Sequence, residues 1–456
     1  MAATTASRVL ARTPRPLPSS VAASLADAFL ASEVWAPKEL IRTGAFVMGA
    51  RRRWLTPLVG DVMSAFVRAP VDAPRLLTSV ILRAPDFIEA VRKADERRSP
   101  LRIHHHVVGP STSQPPSGPL PRIDSIPDLA VLLDLDVGRL QWLADTKQWN
   151  RRARPGPLHH YQYEWRARPG RIPRLLEIPE QRMRRVQRTL LERVLGLIPV
   201  NGAAHGFVPG RSAVTGAAHH TGSDIVISLD LTTFFARVTA GRIFGTLRQS
   251  GLSEPVSHVI TGLCTNAVPP RVLAAMPPGG SPEERFALRQ ALATSHLPQG
   301  APSSPMLANL AIRRLDSRLT GWADAVDATY TRYADDLAFS GGSTLAKRPD
   351  AFIRGVQRII EDEGHLANPR KTRVRRQGVR QTVTGIVVNQ RANVSRADFD
   401  RLKATIHNCV LHGPHTQNHR SLDDFRAHLL GRISWVESLN PPRGARLRQE
   451  FLRIRW

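Results

Sequence analysis

Apolar positions recur at helix spacing in SLADAFLASEVW and in LLTSVILRAPDFIEAVRKA, which predicts helices from about Val21 to Arg98. Pro37, Pro57, Pro70, Pro74 and Pro85 divide that region into short ones. The run VVGPSTSQPPSGPLP, Val107 to Pro121, has the composition of a linker. Helical spacing resumes at Ile126 in IPDLAVLLDLDVGRLQWLAD. The stretch YQYEWRARPGRIPRLLEIP predicts a hairpin with Pro169-Gly170 at its turn, and EQRMRRVQRTLLERVLGLI an amphipathic basic helix. From Asp224 to about Val388 short β-rich runs alternate with helices. The last stretch, from about Ser395 to Trp456, is helical, basic and broken by Pro441-Pro442.

Composition narrows the partners. A chain of 456 residues exceeds what one core usually holds, so two or three lobes are expected. The formal net charge is +26, and a compact state carrying it is relieved by a polyanion. Nucleic acid is the first candidate and an anionic membrane surface the second. Most of the positive charge is arginine, whose planar fork grips phosphate and stacks on bases; a GC-rich genome explains the arginine preference equally well. Cys264 and Cys409 form no C-x-x-C pair, which points away from a disulfide framework and fits a reducing cytosol. No apolar run is long enough for a transmembrane helix. The first residues read as a tail, with a faint likeness to a transit peptide. The N-terminal helices read as an accessory domain for docking RNA or a protein. His104, His105 and His106 are too close in sequence to share one metal site readily.

Three segments carry candidate chemistry. In TYTRYADDLAFSGG, two β-rich runs flank Asp335 and Asp336, placing paired acids at a hairpin tip. Adjacent carboxylates repel unless a cation joins them, so this is a candidate divalent-metal site, or else an exposed acidic turn. In DIVISLDLTTFF, Ile225 to Leu229 has the pattern of a buried strand and Asp230 stands at its end, as a metal partner of Asp335 or as a turn residue. Phe234 and Phe235 follow, one suited to pack under the site and the other to floor a sugar. Between these segments lies LPQGAPSSPMLANLAIRRLD. Gln299-Gly300 allows close backbone approach to a ligand, and a helix is expected to start around Pro305 and run through Leu315.

The order Asp230, LPQGAPSSP, YADD resembles the palm of reverse transcriptases, and EGHLANPRKT resembles the palm element that follows. Val383-Thr384-Gly385 looks like the VTG triplet of the bacterial retron family. HGFVPGRSAVTGAAHHTG is similar to its N-A-x-x-H segment, with Ala217 and His220 matching but Gly216 in the place of Asn. The resemblance covers roughly Ile126 to Trp456; the segment from Thr265 to Ser295 looks like an insertion.

The resemblance implies an α+β right-hand polymerase with fingers, palm (an antiparallel sheet plus helices) and helical thumb, preceded by a helical N-terminal extension. The corresponding limits are residues 1–106 for the extension, 107–121 for the linker, 122–390 for fingers and palm, and 391–456 for the thumb. It implies an RNA-directed DNA polymerase with two Mg²⁺ ions, Mn²⁺ being a possible substitute, bridged by Asp230 and Asp335 and supported by Asp336. Lys371 would lie near the incoming triphosphate, and Phe235 would be the gate against a ribose 2′-OH. Gln299 and Gly300 would face nucleotide and template. Arg168, Arg171 and Arg174 would hold triphosphate or template, unless they form a solvated basic face. His220, Val383, Thr384 and Gly385 would recognise RNA. Trp435 is expected in the thumb core. The implied partners are a cognate structured non-coding RNA, its DNA copy, deoxynucleoside triphosphates and an effector protein, in the bacterial cytoplasm, with no membrane. The implied product is a branched RNA–DNA hybrid made in defence against phage. A group II intron-like or other defence reverse transcriptase, and a non-catalytic RNA-binding scaffold, are the alternatives.

Overall fold

A computed structural model describes residues 18–32, 34–70, 73–105, 120–146, 148–152, 156 and 159–456. His106 and nearly all of the Pro/Ser/Gly-rich stretch lie outside the described residues. The chain divides into two compact units, with residues 121–140 and 247–259 grouping with the N-terminal helices rather than with the rest of the polypeptide.

The first unit is built on helices Pro18–Leu30, Pro37–Val47, Leu55–Ala65, Pro74–Arg83 and Pro85–Glu96. Pro37, Pro74 and Pro85 occupy the opening positions of their helices, where the missing N–H has no intrahelical use. Pro57 falls in the first turn of its helix and Pro70 in a break between helices, so the prolines partition this region largely as the sequence suggests. Leu25, Phe29, Leu40, Leu55, Leu58, Leu77, Ile81 and Phe87 form its core.

Among the described residues, the second unit contains every strand. β1 (Tyr161–Arg166) and β2 (Arg174–Pro179) form an antiparallel hairpin, joined through Pro169-Gly170 and followed by helix Gln181–Arg193. β3 (Ile225–Asp230), β4 (Thr329–Tyr333), β5 (Asp336–Gly341) and β6 (Arg373–Arg376) form a sheet in the order β4-β5-β3-β6, antiparallel throughout. Ile225, Val226, Ile227 and Leu229 are all buried, since β3 is central and covered on both faces. β7 (Thr382–Val383) and β8 (Ile386–Val387) form a small hairpin. Its two linking residues, Thr384 and Gly385, both have positive φ (48° and 84°), as a tight two-residue turn requires. Helices Arg396–His412, Phe425–Leu439 and Pro441–Phe451 close the chain around Leu402, Ile406, Leu429, Ile433, Leu447 and Phe451. The helix expected to run unbroken to Leu315 is divided at Ile312 into Ser304–Ala311 and Arg313–Asp324.

Candidate active site

Cross-strand register brings the acids together. Asp230, at the end of β3, is the direct partner of Asp336, the first residue of β5. Tyr333 pairs with Asp336, leaving Ala334 and Asp335 as a two-residue loop. The Asp335 carbonyl accepts from Leu231 N–H at 2.9 Å, which fastens the tip to the chain just beyond β3. On the other side, Asn368 N–H donates to the Asp230 carbonyl at 2.7 Å, and Lys371 Nζ lies 2.5 Å from Asp230 Oδ1. Burial, reinforced by the charge of Asp230, raises the Asp335 carboxyl above its ordinary range. Burial together with Asp335 and Asp230 pushes Asp336 up to about 6. Lys371 and Arg174 oppose the shift at Asp335, so both cations act electrostatically on the acidic tip.

The tip rests on a buried polar network. Ala334 has φ 55°, a left-handed conformation that costs a residue with a Cβ about 1–2 kcal/mol. Arg332, completely buried, donates Nη1–H to the Ala334 carbonyl at 3.1 Å and to Asn309 Oδ1 at 2.8 Å. Its Nε and Nη2 grip both carboxylate oxygens of the equally buried Asp316, at 2.8 and 2.7 Å. Tyr330 Oη–H donates to the same carboxylate at 2.9 Å. Asn309 then donates to the Gly206 carbonyl at 2.8 Å. A Cβ on Gly206 would come within 2.8 Å of Ala334 N, so the glycine lets a second backbone segment pass directly against the turn. One guanidinium thus ties the acidic turn to two helices.

A second buried cluster sits behind Gln299-Gly300. Gly300 has φ 133°, and a Cβ there would meet the Glu177 carbonyl at 2.8 Å. The close approach expected of this glycine is therefore made to β2, where Glu177 N–H also donates to the Gln299 carbonyl at 2.9 Å. The Glu177 carboxylate, essentially unexposed, accepts from Asn266 Nδ2–H at 2.7 Å and from His296 Nε2–H at 2.8 Å. His296 Nδ1 faces the Thr294 carbonyl at 2.7 Å. Both ring nitrogens face acceptors, so the imidazole is held as a cation. Burial pulls its pKa down, but Glu177 and the Thr294 carbonyl together lift it above the ordinary histidine value. The apparent insertion around residues 265–295 buttresses the β1–β2 hairpin: Val268, Met276, Leu288 and Leu292 pack with Leu175, and Trp165 Nε1–H donates to the Val272 carbonyl at 3.0 Å. Of the hairpin arginines, Arg171 and Arg174 are exposed and Arg168 is half-buried.

Other expected site residues fall in distinct places. Phe234 is buried and Phe235 half-buried, their rings 5.3 Å apart just beyond Asp230. His220 is fully enclosed, bonded to Ser340 Oγ at 2.8 Å and Thr331 Oγ1 at 2.7 Å. Direct RNA contact by its side chain is thereby ruled out; it cross-links β4 and β5 from beneath. Gly216 stands where a Cβ would press to 3.2 Å on His205, so its departure from Asn leaves room for that ring. In the β7–β8 turn Val383 is buried, Thr384 half-buried and Gly385 exposed. Trp435 is 43% exposed and lines a groove of about 510 Å³ with Arg432, His428 and Gly385, so it is not core, contrary to expectation.

A family model described as reverse transcriptase (RNA-dependent DNA polymerase) matches residues 169–389. The retron Mx65 reverse transcriptase of Myxococcus xanthus is 37% identical over 329 residues, covering 70% of this chain and 69% of that protein. The retron Mx162 reverse transcriptase of the same organism is 36% identical over 341 residues, 71% of this chain and 66% of that protein. The retron Ec86 reverse transcriptase of Escherichia coli is 28% identical over 291 residues, 63% of this chain and 79% of that protein. The chain belongs to the retron reverse transcriptases. As a member it is an RNA-directed DNA polymerase of right-hand fold.

Sequence reading of this retron reverse transcriptase missed both supporting clusters. Arg332 carried one signal, a charged residue inside the β-rich run TYTRY. Glu177 carried a similar one in RLLEIP, at an inward position of β2. Neither signal names a partner.

Proposed function

We propose that this enzyme copies part of a cognate structured non-coding RNA, primed from an internal 2′-OH, into a branched RNA–DNA hybrid. It acts with an effector protein in defence against phage, in the bacterial cytoplasm. Residues 1–106 are assigned to the helical extension, 107–121 to a linker, 122–390 to fingers and palm, and 391–456 to the thumb. The reading is carried by Asp230 standing in register opposite Asp336, with Asp335 at the turn between β4 and β5.

The donor set fits Mg²⁺. Three hard carboxylates meet where β3 ends and the β4–β5 turn closes, and burial first, then their mutual repulsion, raises the pKa values of Asp335 and Asp336, which is the electrostatic demand a divalent cation meets. Among the described residues no closed cage of three such groups is preformed, and Mg²⁺ at phosphoryl-transfer sites takes substrate phosphates and water as its other ligands. Asp230 and Asp335 would hold two ions, with Asp336 supporting and Mn²⁺ able to replace Mg²⁺. When bound, the ions activate the primer 3′-hydroxyl and stabilise the pyrophosphate leaving group.

The chain's own groups do the rest. Lys371 exchanges its contact with Asp230 for the triphosphate and offsets charge on the leaving pyrophosphate. Arg174 brings a second cation from the hairpin, and Arg168 and Arg171 hold phosphate of nucleotide or template. Phe235 floors the deoxyribose and rejects the ribose 2′-OH. Gln299 and Gly300 face the nascent base pair. Gly385, exposed at its turn, and the backbone around Val383 and Thr384 contact the RNA.

Primer extension on an RNA template with Mg²⁺ tests the assignment. Asp335→Asn abolishes product, and undiminished synthesis by that variant sinks it. Sequencing nucleic acid that copurifies from the native host tests the retron product: a branched hybrid is expected, whereas an intron lariat transfers the protein to the group II alternative.

A further inference from the structure

The N-terminal unit carries an exposed aromatic stack beside a run of arginines. Phe46, on the last turn of helix Pro37–Val47, is 53% exposed and takes no part in the helical core. The ring of His105 stacks on it, with centroids 4.3 Å apart and planes 15° from parallel. The backbone builds this stack: the Val47 carbonyl accepts from His104 N–H at 2.8 Å and from His105 N–H at 3.3 Å. Gly49 (φ 67°) lets His104 close onto the same loop, because a Cβ there would lie 2.5 Å from the His104 ring. The loop continues into Arg51, Arg52 and Arg53, all exposed and, among the described residues, without an ion pair to an acid. Two other exposed arginines of the unit are paired locally, Arg42 with Glu39 and Arg92 with Glu89 and Glu96; what distinguishes Arg51, Arg52 and Arg53 is that they follow one another directly beside the stacked rings.

We propose that this loop is a binding site for single-stranded nucleic acid, separate from the polymerase site. An open aromatic face accepts an unpaired base of any identity, and a run of unpaired guanidiniums tracks the phosphates beside it. A folded duplex buries its bases and offers nothing to the stack. An acidic peptide satisfies the arginines but leaves the rings uncovered. Unpaired RNA and newly made single-stranded DNA share the recognised chemistry.

The test uses the full chain, fluorescent oligo(U) and oligo(dT), and anisotropy titrations across salt. Replacing Arg51, Arg52 and Arg53 together by Gln lowers the slope of log affinity against log salt by about 2, at roughly 0.7 per phosphate contact on a single strand. The pair Phe46→Ala and His105→Ala weakens binding about five- to a hundredfold at fixed salt. Oligonucleotides carrying 4-thiouracil or 4-thiothymine crosslink to Phe46 or His105. Extension of a short pre-annealed primer–template stays at the parent rate in both variants, which separates this site from the catalytic reading. The oligo(U) and oligo(dT) arms show which strand is held; tight binding of either supports the site. Unchanged slope and affinity in both variants, crosslinks confined to other residues, or parallel loss of primer extension would each overturn it. The arginine variant touches no core residue, so it remains informative even if the aromatic pair alters folding.

Discussion

Arg332→Met removes the group that ties the acidic turn to its supporting helices. The guanidinium makes two short bonds to Asp316, one to Asn309 and one to the Ala334 carbonyl, and neither it nor Asp316 is exposed at all. Met fills similar space, so the main loss is electrostatic. Asp316 keeps only the Tyr330 hydroxyl as a partner among these groups, and breaking a buried pair from one side costs about 3–5 kcal/mol. Against a typical stability of about 5–15 kcal/mol, that is a large fraction. For a unit of this size it lowers the melting temperature by about 5–8 °C. The double variant Arg332→Met, Asp316→Leu removes both charges and recovers most of the loss, because no ion is left stranded. The assay is urea unfolding of parent, both single variants and the double, with primer extension alongside. The turn is released in both Arg332 variants, so kcat falls even where stability returns. A single-variant loss under about 1 kcal/mol, or a double variant worse than the sum of the singles, would falsify the claim that this pair is a coupled buried support.

Three further outcomes follow from the same geometry. His296 has a folded pKa above its unfolded value, so its contribution is complete below about pH 6.5 and fades as pH rises through the folded value; His296→Gln should flatten the alkaline fall of polymerase activity, and an unchanged alkaline limb contradicts the clamp. Asp336 titrates near 6 when folded, so without divalent metal stability declines from about pH 4 to 6 and then levels. Mg²⁺ competes with that proton, and the Mg²⁺-induced rise in melting temperature should be larger at pH 7.5 than at pH 5; equal rises count against metal binding there. Phe235→Ala is expected to increase ribonucleotide incorporation on an RNA template, and an unaltered sugar preference removes the gate.

Local strength explains which parts were legible in the chain. The N-terminal helices announced themselves through spacing and proline position, because both act within a few residues. The Pro169-Gly170 hairpin did so through its turn residues. Asp230, Asp335 and Asp336 stood out because acids at the edge of buried strands contradict their surroundings. Three readings failed where packing decided: His220 looked available and is sealed, Trp435 looked buried and is open, and the helix through Ile312 breaks. The grouping of residues 247–259 with the N-terminal helices gave no sequence signal, since it depends on contacts distant along the chain.

The amino-acid sequence by itself determined the strands, most helices and the identity of the acids, because propensity, periodicity and desolvation act residue by residue. Tertiary structure alone decided what holds those acids in place. Arg332 meets Asp316 and Asn309 across separations of 16 and 23 residues, and His296 meets Glu177 across 119. Such charges are tolerable inside a protein only when a partner arrives from elsewhere, and the choice of partner belongs to the folded arrangement of the chain.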